Sequence, residues 1–239
     1  MRFIKAFCLA AFAALAAMAF VGASSASAQH QIVLCKELVT LCPVGKLWGK
    51  GTLLEALSSN AVLLSSLGNI SCPDSKVTGL AAQEIGDPYV VDSAAAVFGE
   101  LPTPTLGLGC TMSTGACGGA GKDWIHVEID DLRILVEAVD KYFLLAVGLT
   151  LILDCTFGAT CVYRATHIKV PIVHDGTHPA HAGNTLPLVN ILQTLTRQTT
   201  HSGSSLCPAE SIWHATYTFT LAKDHLGNEG LAWPALDKI

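Results

Sequence analysis

The residues best suited to local chemistry are three histidines within one short segment, His174, His178 and His181. Neutral imidazoles bind Zn²⁺ or Cu²⁺, and Asp175, beside the first histidine, adds a carboxylate that such ions also accept. His167 lies one strand length upstream. The alternative is a solvated hairpin loop, because the Asp-Gly and His-Pro steps of the same segment are turn signals. The sequence therefore leaves open a metal site and a simple connection between strands.

A second cluster, Glu128, Asp130 and Asp131, raises the alternative of glycoside hydrolysis, which needs two carboxyl groups about 5–9 Å apart. Glu128 and Asp130 would share one face of a strand, but a solvated strand end explains the same residues. The nucleophile motif G-x-S-x-G and the zinc motif H-E-x-x-H are absent from the sequence. The sequence assigns no catalytic residue and predicts no cofactor. A hydrolase whose site is built from distant residues stays open.

Composition excludes one class of partner. Charged residues make up 14% of the chain, and the net charge is −5. The first 28 residues contain Arg2 and Lys5 and no acid, so the rest of the chain has 12 basic and 19 acidic residues, a net charge of −7. Binding to nucleic-acid phosphates requires clustered Lys and Arg, and no such run occurs. We expect no nucleic-acid partner.

Residues 1–28 have the pattern of a cleavable signal peptide. Arg2 and Lys5 precede an uncharged apolar stretch, 7–21, and Ala26-Ser27-Ala28 has the small-x-small form of a cleavage site. The alternative, a membrane anchor, fits less well because the stretch is short for a bilayer. We therefore predict that a single β-rich domain, residues 29–239, is secreted or held at the cell surface. The second apolar stretch, 142–153, is bounded by Lys141 and Asp154 and is too short for a bilayer, so no membrane span is expected in the mature chain.

Eight cysteines remain after the predicted cleavage, an even number that indicates disulfides in an exported chain. They are Cys35, Cys42, Cys72, Cys110, Cys117, Cys155, Cys161 and Cys207. Their spacing predicts three local bridges and one long-range bridge, namely Cys35–Cys42, Cys110–Cys117, Cys155–Cys161 and Cys72–Cys207.

Alternating apolar and polar residues predict β-strands wherever the pattern is clear. The strongest case is 213–220, where Trp213, Ala215, Tyr217 and Phe219 share one face. Similar patterns occur at 124–129, 149–153, 166–170 and 186–195, and turn-forming Gly, Pro, Asp and Ser residues separate these segments. The expected class is mainly β, an antiparallel sandwich or barrel stapled by disulfides.

Two segments fit more than one structure. Residues 132–147 place Arg133, Glu137 and Lys141 at helical i,i+4 spacing, which favours one short helix. The competing interpretation is a hairpin that turns at Asp140-Lys141. Residues 52–67 are similarly ambiguous.

Three short motifs resemble segments of uncharacterised exported bacterial proteins. They are Gly158-Ala159-Thr160-Cys161-Val162-Tyr163, the turn Leu206-Cys207-Pro208-Ala209 before an alternating strand, and Ser71-Cys72-Pro73-Asp74-Ser75 with the following Lys76 to Gly79. The resemblance covers residues 70–220 in outline. It implies a mostly β fold and favours the hairpin for 132–147, but it implies no activity.

These observations predict a secreted or cell-surface β-rich protein that binds an extracellular or surface ligand or serves a structural role. The alternatives are a secreted hydrolase with a non-local site and a metal-binding protein that uses the loop from His174 to His181.

Overall fold

The computed structural model describes residues 31–86, 88–98, 110–115, 117, 125–155, 158–176, 185–199 and 206–237. The predicted signal segment lies outside this part of the chain. The described residues contain seventeen strands and one 3-10 turn, Val44–Lys46, with no α-helix. The strands are β1 Ile32–Cys35, β2 Leu41–Cys42, β3 Leu53–Ser58, β4 Ala61–Leu64, β5 Ile70–Cys72, β6 Ser75–Ala81, β7 Ile85–Gly86, β8 Tyr89–Phe98, β9 Thr111–Met112, β10 Ile125–Glu128, β11 Asp131–Ala138, β12 Lys141–Asp154, β13 Thr160–Gly176, β14 Leu186–Arg197, β15 Glu210–Lys223, β16 Glu229–Gly230 and β17 Trp233–Asp237.

Eight strand positions close into an antiparallel barrel. Their order is β3, β6, β8, β10 with β11, β12, β13, β14 and β15, and β15 pairs with both β14 and β3 to complete the circle. The predicted mainly β class is confirmed, and of the two predicted architectures the chain adopts the barrel. Closure pairs the barrel strands on both sides, which removes the exposed edges that an open sheet would present.

β10 and β11 occupy one position because both pair with β12 and β8 in a continuous register. The break between them, at Asp130, faces Gly148 of β12. Gly148 has φ +66°, and a Cβ there would lie 1.9 Å from the carboxylate oxygen of Asp130. On either side of this point the buried residues of β12 change parity, from Tyr142 and Ala146 to Leu149 and Leu151. In β12 and in the combined strand β10–β11, the inward-facing positions therefore shift by one residue at the level of Gly148 and Asp130.

A smaller sheet packs against one end of the barrel, which we call the capped end. Its strand order is β2, β17, β1 and β7, and β7 lies in the connection from β6 to β8. Ile32 and Leu34 of β1 are buried in the same apolar cluster as the barrel residues Tyr89 and Tyr142. The indole N–H of Trp48 donates to the carbonyl oxygen of Leu231 at 2.8 Å, which ties the segment after β2 to the one before β17.

The opposite end carries three of the four disulfides, and we call it the disulfide end. All eight predicted cysteines are bonded, but only the pair Cys35–Cys42 is as predicted. The other bridges are Cys72–Cys110, Cys117–Cys155 and Cys161–Cys207, so the three remaining predicted pairs are wrong.

Strand pairing explains the difference. The pairing of β5 with β9 brings Cys72 beside Cys110, and a bridge between backbone segments joins Cys117 to Cys155. The sulfur atoms of Cys155 and Cys161 are neighbours at 3.7 Å, yet each is bonded to a different cysteine. Cysteines close in sequence, such as Cys155 and Cys161, are also close in space, but the pairing of strands decides which cysteines are bonded.

The segment 132–147 is a hairpin, and the alternative of a short helix is wrong. β11 and β12 pair from Asp131 opposite Val147 to Ala138 opposite Lys141. The turn contains Asp140, whose φ of 61° lies in the left-handed region that Asp tolerates. Residues 52–67 form the strands β3 and β4. In the described part of the chain, no helix is long and apolar enough to cross a membrane.

Candidate binding cavity

The predicted histidine site is only partly described. His174 lies near the end of β13, at the capped end, whereas His178 and His181 lie outside the described residues. Within the described ranges, no three His, Cys, Asp or Glu side chains come together as a metal site would require. The metal-binding hypothesis for His174, His178 and His181 stays a prediction.

The acidic cluster does not line the interior of the barrel. Glu128 and Asp130 are exposed, and Asp131 forms an ion pair with Arg133. Ile129, between the two exposed acids, faces the cavity described below. Because neighbouring residues of a strand face opposite sides of the sheet, these carboxylates lie on the outer side of the barrel. The described residues therefore place them in the position of a solvated strand end.

The interior of the barrel contains an apolar cavity of about 60 Å³. Ala56 of β3 and Ala146 of β12 both line it, and these strands are four positions apart in a circle of eight. Each of these two opposite walls therefore contributes only a methyl group. Larger side chains at the same positions would meet at the centre of the barrel. An eight-stranded barrel is just wide enough either to be filled by side chains or to hold one small ligand. Here two alanines leave part of that interior unfilled.

Aromatic side chains form one side of the wall. Trp213, Tyr217 and Phe219 line the cavity from β15, which confirms the predicted shared face of that strand. The rings of Trp213 and Tyr217 meet edge to face, with centroids 6.1 Å apart. Trp213 also borders a second cavity, of about 20 Å³, toward the disulfide end. Its indole therefore separates two spaces inside the barrel.

The hydroxyl group of Tyr217 has a hydrogen-bond partner in the protein and needs none from the cavity. Its oxygen lies 2.7 Å from Oγ of Ser75, and both side chains are buried. Burial raises the pKa of the Tyr217 phenol, while the hydrogen bond to Ser75 opposes this shift. The phenol is therefore neutral at every physiological pH, and the cavity wall beside it carries no charge.

Three buried polar groups lie above the cavity, toward the capped end. They belong to Tyr89 of β8, Tyr142 of β12 and His174 of β13. Burial and the nearby Asp140 raise the pKa of Tyr142 to about 12, and burial also raises the pKa of Tyr89. Burial lowers the pKa of His174, against the opposing effect of nearby carboxylates. All three side chains are therefore neutral at pH 8.

No family model, curated protein or solved structure matches this chain. The resemblance to exported bacterial proteins stays a prediction.

Proposed function

We propose that this chain is an exported binding protein that holds a small apolar ligand inside its barrel. One observation carries the proposal: the barrel centre contains an apolar cavity of about 60 Å³ between Ala56 and Ala146. Protein interiors are packed about as densely as organic crystals, and unfilled apolar volume costs stability. A ligand that fills such a space recovers the lost contacts.

The size of the cavity limits the ligand. Pockets for drug-sized molecules measure about 300–1,000 Å³, and a cavity of about 150 Å³ holds benzene. On the same scale, about 25 Å³ per carbon atom, a cavity of about 60 Å³ takes only two or three carbon atoms, or one xenon atom. Burial is worth about 0.8 kcal/mol per CH₂, so three carbon atoms contribute about 2.4 kcal/mol, which corresponds to a Kd of about 20 mM.

The covalent framework supports export. Four disulfides join all eight cysteines of residues 31–237, and disulfides persist in oxidising compartments. The signal-like segment 1–28 supplies the route. The hydrolase and metal-binding alternatives gain no comparable support from the described residues, because the wall of the cavity is apolar.

The proposal is tested by dissolving xenon under pressure in a solution of the oxidised, ¹⁵N-labelled protein and following its amide signals, because xenon binds empty apolar cavities. We expect shifts in strands β3, β12 and β15 that grow with xenon pressure. Ala146→Leu fills the cavity and should weaken binding at least about tenfold. Ala138→Leu is the matched control, because Ala138 is exposed on β11 and should leave binding unchanged. Wild-type signals that do not respond to xenon would contradict the proposal.

A further inference from the structure

Tyr89, Tyr142 and His174 converge on one region between the cavity and the small sheet. Tyr142 pairs with Ile172 of β13, and His174 lies two residues farther along the same face, so the two are diagonal neighbours. Tyr89 and Tyr142 flank β11, where they pair with Ile134 and Val136. Two interstrand spacings, roughly 10 Å, separate these two backbones, and both side chains point into the barrel.

Among the residues that the structure describes, none of the three polar groups has a hydrogen-bond partner. Tyr89 is 0% exposed and Tyr142 2% exposed, yet neither hydroxyl is paired with a described residue, and the same holds for Nε2 of His174. Tyr217, an equally buried tyrosine, has its partner in Ser75. Burying a hydroxyl without a partner is costly, so most buried polar groups are paired. Three unpaired groups in one region indicate a place where another polar atom binds.

This region adjoins the cavity. Val91 and Leu144 line the cavity wall, and they follow Tyr89 and Tyr142 by two residues on the same faces of β8 and β12. Two residues of a strand span roughly 7 Å. The unpaired groups therefore form the next layer above the cavity, one layer nearer to the buried Ile32 of β1.

We propose that Tyr89, Tyr142 and His174 bind the polar head of the ligand whose apolar chain occupies the cavity, and that this head is a neutral hydroxyl or carbonyl group. The inference rests on the proposed function. A phenol can donate to the oxygen of such a head, and neutral imidazole can donate or accept through Nε2.

The charge of the described surroundings disfavours an anionic head. Among the described residues, the charged groups that act on the three side chains are Glu84 on Tyr89, Asp140 on Tyr142, and Asp140 and Asp175 on His174, and all of them are acidic and exposed. A carboxylate bound to the three side chains would lose its water, and these surface acids would repel it. A neutral alcohol or ketone avoids both costs.

The test compares xenon, 1-propanol and propanoate as probes of the full oxidised protein at pH 8. We expect 1-propanol to shift the His174 Nε2 signal and propanoate to bind more weakly than 1-propanol. Tyr142→Phe and Tyr89→Phe should each weaken the binding of 1-propanol by about threefold to tenfold, the loss expected for one hydrogen bond. Both variants should leave xenon binding unchanged. Tyr163→Phe is the matched control, since Tyr163 is buried near the disulfide end and lines neither cavity.

The outcomes separate the two proposals. If xenon binds but both Tyr→Phe variants keep wild-type affinity for 1-propanol, or if propanoate binds more tightly than 1-propanol, the polar-head inference is wrong and the cavity proposal stands. If neither xenon nor 1-propanol binds, the proposed function itself is wrong. The His174 signal is read in the wild type, so the test does not depend on any variant folding.

Discussion

Tyr89→Phe removes a single oxygen atom from a side chain that is 0% exposed, and we expect this loss to stabilise the ligand-free protein. The hydroxyl of Tyr89 has no hydrogen-bond partner in the described part of the chain, so folding removes it from water without compensation there. Such a group costs roughly 1–3 kcal/mol. Phenylalanine fills nearly the same volume without that cost. The variant should therefore unfold with a free energy roughly 1–3 kcal/mol higher than the wild type.

The same substitution at Tyr217 should have the opposite sign. Tyr217→Phe removes the hydrogen bond to Ser75, 2.7 Å long, and leaves the buried hydroxyl of Ser75 unpaired. We expect it to lower the free energy of unfolding by about 1–3 kcal/mol. The pair of variants thus differs only in whether the lost oxygen had a partner.

Guanidinium chloride unfolding with the disulfides intact, followed by tryptophan fluorescence, measures both changes. Equal m-values would show that the denatured states are comparable. A Tyr89→Phe variant destabilised by 1 kcal/mol or more, to a similar degree as Tyr217→Phe, would refute the reasoning. It would mean that the Tyr89 hydroxyl has a hydrogen-bond partner in solution. The region above the cavity would then offer no unpaired hydroxyl of Tyr89 to a ligand.

Three further predictions concern the framework. Gly148→Ala should lower the free energy of unfolding by at least about 1–2 kcal/mol, and by more than Gly158→Ala does. Both glycines have positive φ, but only a Cβ at position 148 would meet a carboxylate. Chemical denaturation of the two variants measures the difference. Burial lowers the pKa of His174, so the unfolded chain takes up a proton below pH 6.5 that the folded chain resists. The free energy of unfolding should therefore fall as pH falls from 6.5 toward the folded pKa of His174. Between pH 8 and pH 5.5 it should fall less in His174→Gln than in the wild type, and an identical fall in both would contradict this. Replacing both Cys161 and Cys207 by Ala opens a bridge between residues 46 apart and should cost about 4 kcal/mol, and peptide mapping without reductant should join these two cysteines.

Local pattern predicted the strands because each of them buries one face. In β15, Trp213, Ala215 and Tyr217 are buried as their alternation indicates. The segment 132–147 was ambiguous for a physical reason. Its inward positions, such as Ile134 and Ala146, alternate with outward positions that are also apolar, such as Leu135 and Leu145, so the period of two is lost. The resemblance favoured the hairpin where periodicity favoured a helix.

Features that depend on closure could not be predicted from local pattern. Ala56 and Ala146 stand on opposite walls only because β3 and β12 are four positions apart in the barrel. Similarly, Cys72 meets Cys110 through the pairing of β5 with β9. The unpaired group of His174 was visible in the sequence only as part of a histidine-rich loop, since its neighbours in the fold come from other strands.

The central claim is that the barrel centre holds an apolar space that a ligand can fill. Xenon tests it most directly, because it binds empty apolar cavities and gives a strong signal in electron density. In crystals of the oxidised protein under xenon pressure, we expect one xenon atom inside the barrel, in van der Waals contact with Ala146 and Phe219, and none there in Ala146→Leu crystals. A barrel interior that takes up no xenon in the wild type would contradict the account.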